Sequence, residues 1–186
     1  STTTGNATSG AITLTAERNV DSDALTTGVA SAAEGDATSG AIDVVATSGN
    51  VTLTTVTSGD ATVAGNGTAT SGAITLTASG ANGTLTLDDA LTGVASVGAT
   101  GSATSGAITL LADGDVTVNA SLETGTADTV DGDATSGLVS VTSSNGSVAM
   151  SAATVMTGDA TVTGNGTATS GAITLTAERN VDSDAL

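Results

Sequence analysis

The chain has no cysteine, no proline, no histidine and no lysine, and it contains none of the three large aromatic residues. Each absence excludes something. Without Cys there are no disulfides and no thiol chemistry. Without His, Cys, Tyr and Lys the common general bases and the thiol and Schiff-base nucleophiles have no candidate, so an enzyme is not expected. Without aromatics an ordinary globular core lacks its main volume fillers, and the interior must be narrow enough to be packed by small and β-branched side chains. Absence of Pro leaves every backbone N–H free to donate, which suits strands paired on both sides.

Positive charge is almost missing too. Arg18 and Arg179 stand against 19 acidic residues, giving a formal charge of -17. Nucleic-acid backbones and anionic membrane surfaces need clusters of Lys and Arg, so neither is an expected partner. No apolar run approaches the roughly 20 residues of a membrane helix, and no membrane insertion is expected. The sequence carries neither a signal peptide nor an initiator Met, and is expected to be the interior of something longer.

What the chain does have is repetition. A ten-residue motif begins at Ala7, Ala37, Ala69, Ala103, Ala134 and Ala168, reading ATSGAITLTA, ATSGAIDVVA, ATSGAITLTA, ATSGAITLLA, ATSGLVSVTS and ATSGAITLTA. Its corner glycines, Gly10, Gly40, Gly72, Gly106, Gly137 and Gly171, are spaced by 30, 32, 34, 31 and 34 residues. Such a period marks solenoids and arrays. The last 19 residues, Ala168 to Leu186, repeat Ala7 to Leu25 without a change, so the units group into a super-repeat of 161 residues.

Within each unit Val, Ile and Leu alternate with Thr and Ser, the period of a strand with one face buried. That alternation, with 38% hydrophobic residues, argues against a disordered Gly/Ser/Thr linker. The inward columns are Ile12, Ile42, Ile74, Ile108, Val139, Ile173 and Leu14, Val44, Leu76, Leu110, Val141, Leu175. A second strand follows a turn in NVTLTTV, GTLTLDDAL, DVTVNA and GSVAMSA, and a third, shorter one in GDATVAG and GVASVG. Three strands per turn of about 32 residues, layered about 4.8 Å apart, make an all-β parallel β-helix, or β-solenoid.

We therefore expect residues 1–186 to be one continuous solenoid segment of a longer tandem array, with units near 7–36, 37–68, 69–102, 103–133 and 134–167 and a partial unit at 168–186. Immunoglobulin-like sandwiches, the competing architecture, need about 100 residues each and usually a large core aromatic. The short period and the missing aromatics argue against them.

The runs SGAITLTA, GDVTVNA and GDATVTGNGTATSG resemble the repeats of filamentous-haemagglutinin-type adhesins and related β-strand-repeat surface proteins of bacteria. The resemblance covers essentially the whole chain, although the repeat here is longer than that family's usual coil. It implies a right-handed β-helical shaft and an extracellular or cell-surface location. The expected function is a non-enzymatic structural shaft in a long fibre or adhesin. The alternative is a self-assembling filament, sheath or surface layer. Either way the expected partner is the protein itself, through further repeats of the same chain or through end-to-end or lateral association.

Asp36, Asp60, Asp133 and Asp159 sit in GDAT turns and are the candidate calcium ligands, but the glycine-aspartate nonapeptide of calcium-dependent β-rolls is missing and the four turns fall at different places in the repeat. No other cofactor is implied. Asp88 and Asp89 are adjacent carboxylates, but strand neighbours are expected to point to opposite faces. Thr13 with Thr15, Thr75 with Thr77 and Thr174 with Thr176 suggest an ice-binding lattice as a minor alternative, interrupted by Asp43, Val45 and Leu111. Sequons at Asn6, Asn50, Asn66, Asn82, Asn119, Asn145 and Asn165 are candidate glycan sites, and turn chemistry produces the same tripeptides. Arg18 and Arg179 occupy equivalent places, and each is expected to pair with a nearby acid such as Glu17, Asp21 or Asp23, or with one on a neighbouring coil.

Overall fold

The structure is a computed structural model that describes residues 4–185, without the side chains at 151, 152, 184 and 185. Residues 1–3 and 186, the outer bounds of the expected segment, lie outside the described residues. The described chain is all-β and winds into a parallel β-solenoid of about five turns with ~32 residues per coil.

The first coil runs through β1 (Ala7–Thr8), β2 (Ile12–Ala16), β3 (Val20–Thr26) and β4 (Ala30–Ala32). The second has β5 (Ala37–Thr38), β6 (Ile42–Ala46), β7 (Val51–Thr57) and β8 (Ala61–Val63). The third has β9 (Gly67–Thr70), β10 (Ile74–Ala78), β11 (Leu85–Leu91) and β12 (Ala95–Thr104), whose second half belongs to the coil above. The fourth continues with β13 (Ile108–Ala112), β14 (Val116–Glu123) and β15 (Ala127–Asp131). The fifth has β16 (Ala134–Thr135), β17 (Val139–Ser143), β18 (Val148–Met156) and β19 (Ala160–Val162), and β20 (Ala168–Thr169), β21 (Ile173–Ala177) and β22 (Val181–Ala185) begin the next.

Each coil thus has four strands rather than the three expected. The extra one is the Ala-Thr of the ATSG motif, which pairs in the ladder Ala7, Ala37, Ala69, Ala103, Ala134, Ala168. A two-residue strand is too short to show an alternation, so only the stack above and below reveals it. The strands form four walls, here numbered in chain order from the ATSG wall. The second wall is the most regular: Ile12, Ile42, Ile74, Ile108, Val139 and Ile173 are direct partners, as are Leu14, Val44, Leu76, Leu110, Val141 and Leu175.

The third wall breaks the period-two rule. Leu53 and Val56, and likewise Leu87 and Ala90, are buried with two outward residues between them. Register shifts occur there between β11 and β14 and between β14 and β18, where the upper strand carries one more residue each time. Differences in repeat length are absorbed at this bulge and at two turns, one before and one after the third-wall and fourth-wall strands. The second wall keeps five residues in every coil.

The interior is divided. One apolar cluster lies between the second and third walls and holds Ile42, Ile74, Leu76, Leu85, Leu87, Ile108, Leu110, Leu122 and Met150, all essentially inaccessible. A second lies between the first and fourth walls and is built of alanines with Val63 and Val97. The two corners between these lobes carry Ser-Gly and Thr-Gly or Ser-Gly pairs, which pinch the coil into a waist.

Candidate functional site: the corners and outer faces

The waist is a ladder of buried hydroxyls. At the ATSG corner, Ser9, Ser39, Ser71, Ser105 and Ser136 each accept a hydrogen bond from the glycine N–H of the next coil, at Gly40, Gly72, Gly106, Gly137 and Gly171, over 2.7 to 2.8 Å. At the opposite corner Thr27, Ser58, Thr92 and Thr124 do the same for Gly59, Gly93, Gly125 and Gly158. The second set also donates across the waist, to the carbonyls of Gly40, Gly72, Gly106 and Gly137, over 2.6 to 2.9 Å. Ser39 returns a bond to the Gly59 carbonyl.

These hydroxyls meet the demand that buried polar groups be paired, and among the described residues no buried side-chain polar atom lacks a partner. Glycine is required beside them by close approach. A Cβ on Gly72 would lie 2.0 Å from the Gly40 carbonyl oxygen, and one on Gly106 2.1 Å from that of Gly72. Sequence reasoning found the ATSG glycines and missed the partner column, Thr27-Gly28, Ser58-Gly59, Thr92-Gly93, Thr124-Gly125 and Thr157-Gly158. Its recurrence is visible in the sequence, but the pair varies between Thr-Gly and Ser-Gly and is followed by Val-Ala-Ser in two copies and by Asp-Ala-Thr-Val in two others.

Outside, Asx side chains extend the backbone ladder at the corners. Asn6 accepts from the Asp36 N–H, Asn19 from Asn50, Asn50 from Thr84, Asn66 from Thr100 and Asp115 from Ser147. The candidate calcium ligands do this work as well. Asp36 accepts from Thr68, Asp60 from Val94 and Asp133 from Thr167, at 3.1, 2.8 and 3.0 Å. The four aspartates are exposed and are not brought together. Asp36 and Asp133 share a column with Thr68 and Ser102 between them, and Asp60 and Asp159 share another with Val94 and Thr126 between them. Among the described residues no cluster of three or more His, Cys, Asp or Glu could hold a metal ion.

Asp88 and Asp89 correct the expectation that they face opposite ways. The break in alternation that β11 shares with β7 turns both outward, and each meets the coil above: Asn119 Nδ2 donates to Asp88 at 2.8 Å and the Ser121 hydroxyl to Asp89 at 2.7 Å. All seven sequon asparagines are exposed. On the outer face of the second wall the Thr columns are interrupted at Asp43, Val45 and Leu111, as the sequence suggests. Arg18 and Arg179 are exposed, and neither makes an ion pair among the described residues, so the expected pairing of Arg18 is not formed.

An open depression between stacked turns is lined by Asn82, Thr84, Asp115, Asn145 and Arg179. Gly114 and Gly146 complete its lining. The geometry therefore joins coil to coil at every corner, while its outer faces present hydroxyls and carboxylates. In comparisons with family models, with curated proteins and with solved structures, nothing matches this chain significantly, so the fold rests on its own residues.

Proposed function

We propose that the chain is a structural, non-enzymatic shaft: a rigid extracellular or cell-surface segment that sets the reach of a long fibre or adhesin. The observation that carries this reading is the second wall, where five successive pairings keep register without a shift while the sixth strand repeats the first residue for residue. A stack whose last coil recreates its first can be lengthened without a new kind of junction, and its length then scales with copy number. Acidity supports the same reading, since a net charge of -17 keeps such rods soluble and apart. The likeness of the repeats to filamentous-haemagglutinin-type adhesins favours a surface location.

Two measurements test it. Chains carrying one, two and three 161-residue blocks, viewed by electron microscopy, are expected to lengthen by about 24 Å per block at constant width, five layers of about 4.8 Å. An antibody against the chain is expected to label intact producing cells. Length that does not follow block number, or labelling only after permeabilisation, overturns the reading.

A further inference from the structure

Among the sequon asparagines, Asn82 stands apart in where it sits and in what its side chain does. The turn between the second-wall and third-wall strands spans residues 79–84 in the third coil, against 47–50 in the coil below and 113–115 in the coil above. The extra residues leave the ladder as a turn closed by the Gly83 N–H on the Gly80 carbonyl over 2.7 Å, with Ala81 and Asn82 exposed at its tip. Asn82 has φ +58°, the one described non-glycine residue with positive φ, a conformation that the second central position of a type II turn requires and Asn tolerates.

The backbone of this turn is anchored on the coil above. Asn82 N–H donates to Asp113 at 2.7 Å, and the Gly83 carbonyl accepts from Gly114 N–H at 2.8 Å. The Asn82 carboxamide, however, makes no hydrogen bond among the described residues, and neither does the Thr84 hydroxyl. The other sequon side chains are committed to stacking. Asn6, Asn50 and Asn66 accept from a backbone N–H of the coil above at 3.0, 2.9 and 3.2 Å. Asn119, Asn145 and Asn165 donate through Nδ2 to Asp88, Asp113 and Asp131 of the coil below at 2.8, 2.7 and 3.3 Å. The turn at 82 needs only the positive φ, which Gly supplies as well, so the amide there is left for chemistry.

We propose that Asn82 is the acceptor of an N-linked sugar on the folded chain, with Thr84 as the sequon hydroxyl, and that the other sequons are ladder residues. The donor class is a nucleotide-activated hexose. Asn82 Nδ2 bonds to its anomeric carbon, the bond from that carbon to the nucleoside diphosphate oxygen breaks with its electron pair, and one amide proton passes to a base of the transferase. At the other sequons a bond to the neighbouring coil must first be given up, which lowers transfer by about tenfold. Asn119 also lies inside β14, which is paired on both sides. The shaft reading does not use this site, and transfer to the purified chain does not depend on where the protein resides, so failure would leave that reading standing.

The test is incubation of the folded chain with a soluble asparagine glycosyltransferase and a nucleotide-activated hexose, followed by mass spectrometry of the intact chain and of its peptides. One hexose per chain is expected, on Asn82, with occupancy at least about tenfold above that at any other sequon. Asn82→Gly keeps the turn and should take up none. Thr84→Ala should also take up none and Thr84→Ser should restore uptake, with all three variants melting like the wild type. Short peptides of the chain, freed from the ladder, should accept at the other sequons too, because the fold and not the local sequence selects Asn82. A folded chain that takes no hexose, equal occupancy at Asn119, Asn145 or Asn165, or peptides that keep the preference for Asn82 overturn the proposal.

Discussion

The two lobes of each coil are built on the same ladder but are held together differently. Between the second and third walls, Ile, Leu, Val and Met fill the space, and a fully buried Leu or Ile contributes roughly 1.5 to 3 kcal/mol. Between the first and fourth walls the facing side chains are mostly alanines, each methyl contributing about 0.8 kcal/mol. Side-chain volume sets how far apart the walls stand, so the first lobe is wide and the second narrow. The narrow lobe depends mainly on backbone pairing and on the hydroxyl waist that closes it off. Stability and shape are thus divided: the wide lobe supplies most of the apolar burial, and the waist keeps the cross-section constant from coil to coil.

The sharpest way to break this division is at the waist. Gly72→Ala or Gly106→Ala forces a methyl against the carbonyl of the coil below and should destabilise the chain by about 3 kcal/mol or more in urea unfolding. In the wide lobe, Leu76→Ala leaves a cavity and should lose about 3 kcal/mol. In the narrow lobe the damaging change is the opposite one: Ala69→Val overfills a fully buried site and should lose about 2 kcal/mol, whereas Val44→Ile in the wide lobe should lose less than about 1.5 kcal/mol. If both lobes respond alike to added and removed methyls, the contrast is wrong.

Smaller effects sharpen the account of the corners. Ser71→Ala strands the Gly106 N–H and should lose about 1 to 2 kcal/mol, while Ser71→Thr, which imitates the opposite corner, should lose well under that. Outside, Asp60→Ala should lose about 0.5 to 1 kcal/mol with its bond to Val94, and Asp60→Asn, which keeps the acceptor oxygen, close to nothing. Thermal melts of the four variants resolve this order.

The second wall was fully legible from the sequence, because Ile-Thr-Leu-Thr-Ala alternates cleanly and recurs with few changes. Its columns in the structure are the ones read from the alternation. The third wall was legible only as a strand. Its buried residues at Leu53 and Val56, like Leu87 and Ala90, are three apart, so period-two reasoning placed Asp88 and Asp89 on opposite faces when the strand turns both outward. The first-wall strand was missed because two residues cannot show a period. The second hydroxyl corner was hidden in changing contexts, TTG, TSG, LTG, ETG and MTG, although its role explains why Thr and Ser interchange there: both supply one donor and one acceptor.

Because the chain has no native Cys, a spin-label pair can be placed at will, and one distance tests the stack most directly. Thr13→Cys with Thr174→Cys puts labels on equivalent outward positions of β2 and β21, five coils apart in one parallel wall. Electron–electron double resonance should return a single narrow distribution near 24 Å, five layers of about 4.8 Å. A broad distribution, or a separation well outside about 20 to 30 Å, would contradict the in-register solenoid on which the shaft reading depends.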